Sequence, residues 1–405
     1  MRRSFFGKCL LLTAIFAMAG FMTQINCPTL ADAKDVFKIG CPATLSGVGA
    51  SYGEQTKRTL EMMVPEINKR GGVLGRQIEL IIEDDKGDPA TAVRKAREMV
   101  EKDKVNVLHS PTYSSSALAV SAMLPTWKVI DVSSINGAGS LTGSKFNKYF
   151  FRPNFSAPME AKMISAFMKD SPYKSFFGIG SDYVWGRSSV GMFKGSIEKM
   201  GKKWVGDVYP PIGNVDWATY IAKIKEAKPD VVYTAIASKD AVTFYNQAQE
   251  FGLTKETQFV LAILNVAEFR ATGNAMEGFI GCPRYPFTYD SPKNKAFVDM
   301  YLKTYKLYPD MFDGECYDAI NFMIAAIEKA KSFDADAIIK AWEGMEFEGI
   351  QGKFVMRACD HQAVRQGFMG KAVKAEGYPH LIPKLLKIYP GEEVVPPCGK
   401  DTYED

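Results

Sequence analysis

From residue 35 onward the chain alternates short apolar runs with amphipathic stretches, and few folds accommodate that rhythm. VFKIG, QIELIIEDD, VNVLHSP and WKVIDVSS read as strands. Between them, YGEQTKRTLEMMVPEINKRGG, DPATAVRKAREMVEKD and SSSALAVSAMLPTW carry helical periodicity. The first helix is closed by glycines, and the second opens on Asp88 with Pro89 in its first turn. Strands separated by helices predict βαβ units and a parallel sheet. The rhythm restarts after Arg152 with KSFFGIGSD, KWVGDVYP, PDVVYTAIAS and TQFVLAIL as strands. Two successive runs predict two α/β lobes. Beyond about Gly281 the pattern changes to late helices, and GIQGKFVMRACDHQ with PKLLKIYP reads as an antiparallel strand pair. In such sheets ligands sit beyond the carboxyl ends of the strands, which here means the cleft between the lobes.

The 405 residues suffice for two domains. The first residues form a different segment: MRRSFFGK is basic, CLLLTAIFAMAGFM apolar, and Ala31-Asp32-Ala33 small. This is the pattern of a cleaved signal peptide over residues 1–33, and the apolar run is shorter than the roughly 20 residues a membrane span needs. Removing Arg2, Arg3, Lys8 and Asp32 lowers the net charge from +4 to about +2. A nearly neutral exported chain, with its charges spread along it, gives no basis for nucleic-acid binding. Five of seven cysteines lie beyond this leader, so an oxidising compartment leaves at least one thiol free. Cys359 and Cys398 are the candidate disulfide, stapling a proline-rich tail. With no CxxC and three histidines, neither a metal site nor a cofactor is expected.

The strand-end loops carry the functional reading. GVGASYG, residues 47–53, has Tyr52 where a dinucleotide fingerprint needs glycine, and Glu54-Gln55 where a phosphate loop needs lysine and a hydroxyl. Its small residues bring backbone close to a ligand, with Tyr52 lying against it. Thr112-Tyr113-Ser114-Ser115-Ser116 places hydroxyls and free backbone N–H groups at a helix start, which suits a carboxylate as well as simple capping. Residues 133–140, with Asn136 and Gly137, repeat the arrangement after the next strand. In the second lobe SDYVWGRS offers Tyr183 and Trp185 as apolar lids, while Ser238 and Ile263 mark two further strand ends. No nucleophile elbow and no Cys–His spacing point to catalysis. Asp360-His361 lies in the late strand pair, where a structural role is expected.

In order and spacing, SGVGASYG, INKRGGVLGRQIEL, EDDKGDPATAV, the triple serine with ALAV, DYVWGRS, IKEAKPDVVYTA, AQEFGL and MEGFIG resemble the solute-binding proteins of branched-chain amino-acid ABC transporters. The resemblance covers essentially the whole mature region. It implies a type I periplasmic-binding fold: two Rossmann-like lobes joined by three crossovers, closing on a solute by hinge motion. The implied boundaries are residues 34–155 for lobe 1, 156–283 for lobe 2, 284–345 for the return to lobe 1, and 346–405 for completion of lobe 2 and the tail. It further implies a periplasmic, monomeric, non-enzymatic protein that hands a small carboxylate ligand to ABC permease subunits in the inner membrane. By this resemblance Tyr52 packs on the ligand, Ser114 takes its carboxylate, Asn136 or Gly137 completes that site, and Trp185 stands in for a tyrosine. The family's acids for an α-ammonium align near Ala157 and Ile263, neither of them acidic, with Glu268 a few residues on. An unpaired buried ammonium is costly, so an aromatic or aliphatic acid lacking the amino group is expected beside the branched-chain or other hydrophobic amino acid that the resemblance implies. A ligand-sensing receptor of the same fold and a secreted enzyme are the alternative classes.

Overall fold

A computed structural model describes residues 36–402, so the leader lies outside the described residues. In the first lobe β1 (Val36–Ala43), β2 (Gln77–Asp84), β3 (Val107–His109), β4 (Ile130–Val132) and β5 (Phe150–Phe151) form one sheet in the order β2-β1-β3-β4-β5. Every pairing is parallel. Its central strands are buried throughout, as helices on both faces require. Asp88 caps the helix Pro89–Glu101 by accepting the Thr91 N–H at 2.7 Å.

The second lobe is built on β6 (Ser175–Gly180), β7 (Lys203–Val208), β8 (Val231–Ala235), β9 (Gln258–Leu261) and β10 (Ile280–Gly281), all parallel. A third, antiparallel sheet follows: β11 (Glu346–Gly349), β12 (Gly352–Met356) and β13 (Ala363–Arg365). The chain then adds β14 (Gly367–Val373) and β15 (Ile382–Tyr389) antiparallel to the edge of the second sheet, whose order becomes β15-β14-β10-β9-β8-β6-β7.

Two expectations about the late segment are corrected. The strand read in GIQGKFVM pairs with β11 and β13, not with the PKLLKIY strand, whose partner is β14. Residues 346–365 also pack on the first lobe rather than completing the second. Phe354, Met356 and Ala363 enter the core that holds β1, β3 and β4, and the Phe347 ring stacks on Phe322 of the helix Met311–Ala330 at 4.9 Å. Apolar alternation marks a strand without naming its partner, and burial of these aromatics decided it.

Three crossovers join the lobes, after β5, after β10 and after β13. One buried carboxylate ties all three. Glu315 Oε1 accepts the Phe155 N–H at 3.2 Å and Arg365 Nη1 at 3.1 Å, while Oε2 faces Arg284 Nη1 at 3.4 Å. Both arginines and Glu315 are almost wholly buried, so the pairing compensates charges that have left water.

Candidate functional site

The loops at the carboxyl ends of β3 and β4 are locked together. Asn136 Nδ2 donates to the carbonyls of Pro111 and Thr112 at 2.7 and 3.1 Å, and its Oδ1 accepts the Ser133 hydroxyl at 2.9 Å. Ser114, at the start of the helix Ser114–Ser121, accepts the N–H groups of Gly137 and Ala138 on its Oγ, each at 3.3 Å. These loops supply small polar groups and backbone donors at one wall of the cleft, a fitting environment for a carboxylate.

Facing them are aromatic rings from both lobes. Tyr113 meets Tyr183 edge-on at 5.4 Å, Tyr183 lies 6.1 Å from Trp185, and Tyr52 meets Phe312 edge-on at 4.9 Å. Burial pushes the Tyr113 phenol up to about 12 and raises Tyr52 and Tyr183 well above the ordinary phenol value. All three are therefore neutral hydroxyls at physiological pH.

Of the residues expected at the site, Tyr52, Tyr113, Ser114, Gly137, Tyr183, Trp185 and Ile263 line the cavity between the lobes, together with Thr112, Ile135, Arg284 and Phe312. Ser115, Asn136 and Ser238 are not among the lining residues. The Asn136 amide is spent on the loop contacts above. Ser238 sits in a left-handed conformation (φ 56°) and serves closure instead. Its Oγ donates to the Val48 carbonyl at 2.6 Å and lies 2.7 Å from Ser51 Oγ, and its N–H donates to the Tyr52 hydroxyl at 2.7 Å.

Arg284 is the residue that sequence reasoning missed. A charged side chain directly after the buried strand FIGCP was the available signal. Its Nε and Nη2 both lie 2.6 Å from Glu160 Oε1, and Nη1 donates to the Ile135 carbonyl at 2.8 Å. Burial works against its charge, but the Glu160 and Glu315 carboxylates outweigh it and hold Arg284 above its ordinary value. Glu160 Oε2 in turn faces Trp185 Nε1 at 3.4 Å. A second acid, Glu268, accepts the Tyr52 hydroxyl at 2.9 Å and is driven well above the usual carboxylate range by burial. The two acids are thus engaged, one by a guanidinium and one by a phenol.

The lobes are closed on a cavity of about 20 Å³, far below the roughly 300–1,000 Å³ of ligand pockets. A larger groove of about 580 Å³ opens on the first lobe beside Arg70, Lys293, Glu328 and Glu348. It is lined by charges of both signs and lies away from the strand ends, so the cleft is the candidate site. Asp360 and His361 lie elsewhere: Asp360 pairs with Arg357, and His361 bridges the Phe150 carbonyl and Glu343 at 3.1 and 3.0 Å. Cys359 and Cys398 are joined as a disulfide, whereas Cys41, Cys282 and Cys316 are buried free thiols.

Residues 36–377 match the family model described as Periplasmic binding protein. The chain is 27% identical over 341 residues to the leucine-, isoleucine-, valine-, threonine- and alanine-binding protein of Pseudomonas aeruginosa, covering 83% of this chain and 88% of that one. It is 29% identical over 330 residues to a Leu/Ile/Val-binding protein of Rhizobium johnstonii, covering 78% of this chain and 86% of that one. Among solved structures, an ABC-transporter solute-binding protein of Rhodopseudomonas palustris BisB5 in complex with 3,4-dihydroxybenzoic acid superimposes with a TM-score of 0.82 at 26% identity, over 88% of this chain and 98% of that one. Two lobes of parallel sheet, an aromatic and hydroxyl-rich cleft at their strand ends, and these matches converge: the chain belongs to the periplasmic binding protein family, as a non-catalytic solute-binding protein of the ABC-transporter type.

Proposed function

We infer that this chain captures a small aromatic carboxylate lacking an α-ammonium and delivers it to the permease subunits of an importer. The observation that carries this reading is the state of the two acids at the cleft. An α-ammonium needs an ionised acceptor facing it, yet Glu160 Oε1 already holds Arg284 and Glu268 is a buried acid raised by desolvation. The remaining wall consists of Tyr52, Tyr113, Tyr183, Trp185 and Phe312, flat surfaces suited to a ring. The ligand's carboxylate meets the Ser114 hydroxyl and the N–H groups at the start of its helix, Ser114–Ser121. The 3,4-dihydroxybenzoic acid bound by the Rhodopseudomonas relative is of the same chemical class. Entry requires the three crossovers to open, and the closed form is the one a permease recognises. The apolar leader of residues 1–33 supports export to the periplasm through a cleaved signal.

Thermal-shift titration of the mature protein against benzoate, 4-hydroxybenzoate, leucine and valine tests the reading. A ligand at 100 times its dissociation constant adds about 2.7 kcal/mol of stability. Benzoates are expected to raise the midpoint and the amino acids to leave it unchanged; the reverse pattern overturns the assignment and makes Glu268 an ammonium acceptor.

A further inference from the structure

The carboxyl-terminal tail packs on the stretch of chain that follows Gly137, a residue of the cleft wall. It is anchored by the Cys359–Cys398 disulfide, by the Gly399 N–H donating to Asp360 Oδ2 at 3.2 Å, and by Arg357 Nη1 donating to the Pro396 carbonyl at 2.7 Å. Three residues beyond Cys398, Asp401 reaches the turn Gly139–Thr142, which continues the loop that carries Gly137. Its Oδ1 accepts the Ser144 N–H at 2.5 Å and its Oδ2 the Ser144 hydroxyl at 2.8 Å. The contact leaves no room for a side chain at Gly139 or Gly143. A Cβ on Gly139 would lie 2.1 Å from the Asp401 carbonyl oxygen, and one on Gly143 would lie 2.0 Å from Asp401 Oδ1. Neither glycine has a positive φ, and at Gly139 it is the approach of the tail that excludes a side chain.

The far side of the same loop is held by Arg152, which is fully buried and donates to the Ala138 carbonyl, to Thr142 Oγ1 and, at 2.6 Å, to Gln362 Oε1. Gln362 follows Cys359 by three residues. Both clamps on the loop therefore trace to the segment that carries the disulfide. The clamped residues adjoin Gly137 and Ala138, whose N–H groups point at Ser114 Oγ.

We propose that the disulfide-anchored tail presets the ligand-facing loop at residues 137–144, with Asp401 as its positioning residue. Reduction of Cys359–Cys398 then loosens the loop while both lobes stay folded, and the preorganisation that holds a ligand carboxylate is lost. The loop's part in ligand capture rests on the function inferred above; the positioning itself does not.

Hydrogen exchange on the full mature chain tests it, comparing oxidised protein, protein treated with dithiothreitol, and the variants Cys398→Ser and Gly139→Ala. Cys359–Cys398 is the one disulfide among the described residues, so dithiothreitol acts on the tail alone. Exchange in peptides covering residues 137–144 is expected to rise about tenfold in all three altered forms, while β3 and β8 keep their protection. Gly139→Ala leaves the disulfide intact and covers the case in which Cys398→Ser fails to fold. Unchanged exchange in the loop overturns the proposal, as does a rise spread evenly over both lobes. In parallel, the oxidised and reduced forms are titrated with 4-hydroxybenzoate, for which the dissociation constant is expected to rise about tenfold on reduction. A looser loop with unaltered affinity overturns the link to capture. No binding to the oxidised form, with the exchange change present, overturns the ligand class and leaves the positioning role standing.

Discussion

The Tyr52 hydroxyl of the first lobe donates to Glu268 Oε1 of the second at 2.9 Å and accepts the Ser238 N–H at 2.7 Å. One phenol thus satisfies two buried polar groups across the cleft, and together with the contacts of Ser238 Oγ to Ser51 and Val48 it forms the latch of the closed form. On opening, these groups exchange hydrogen bonds with one another for hydrogen bonds with water at small net cost, which suits a protein that must release what it holds.

Tyr52→Phe takes the phenol out of the latch and leaves the Glu268 carboxyl and the Ser238 N–H without that partner. A buried polar group left unsatisfied costs about 1–3 kcal/mol. The variant is expected to shift the ligand-free protein toward an open form, visible as a larger radius of gyration in small-angle X-ray scattering. An unchanged scattering curve would falsify the latch.

Gly137→Ala aims at the cavity itself. A Cβ there would lie 2.6 Å from Trp185 Cδ1 and 3.0 Å from Arg284 Nη2, so the two lobes cannot close as they do in the native chain. Overpacking of this kind costs about 1–3 kcal/mol. Ligand affinity, measured by calorimetry, is expected to fall at least about tenfold, with circular dichroism unaltered; native-like affinity would show that closure does not bring Trp185 onto Gly137.

Glu160 and Arg284 form a buried pair whose halves depend on each other. Glu160→Gln strips the guanidinium of its nearest carboxylate, and Arg284→Met strands the acid. Each single change is expected to cost about 3–5 kcal/mol in denaturant unfolding. The double variant is expected to cost less than the two singles combined, and strict additivity would argue against the pairing.

Asp131 gives a pH dependence of definite sign. It is fully buried in β4, accepts the Ser110 hydroxyl at 2.7 Å on one oxygen, and has no partner on the other. Burial raises it from 3.8 to about 7. A raised carboxyl binds its proton more tightly in the folded chain, so its stabilising share is complete below about 4 and is lost as pH rises through about 7. Asp131→Asn, isosteric and always neutral, is expected to match the native chain near pH 4 and to exceed it in stability at pH 8. Equal melting curves for the two proteins at both pH values would mean that Asp131 does not hold its proton.

The alternation of apolar runs and helical patterns was enough to derive two parallel α/β lobes, because strand burial and helix amphipathicity are local properties written at periods of 2 and 3.6. The strand-end loops followed from the same rhythm, and with them Tyr52, Tyr113, Ser114, Gly137, Tyr183 and Trp185, all of which line the cleft. What the sequence could not supply was partnership between distant segments. Residues 346–365 went to the first lobe because Phe354 and Met356 found its core, a choice that alternation does not encode. Arg284 became a cleft residue only when the second crossover carried it between Glu160, 124 residues away, and the loop at Ile135. Glu268, three residues into the helix Val266–Thr272, reached Tyr52 across 216 residues of chain only through closure of the lobes. Local periodicity determined the elements and their loops; burial of charge between lobes, which exists only once the chain has crossed over, decided which side chains meet at the cleft.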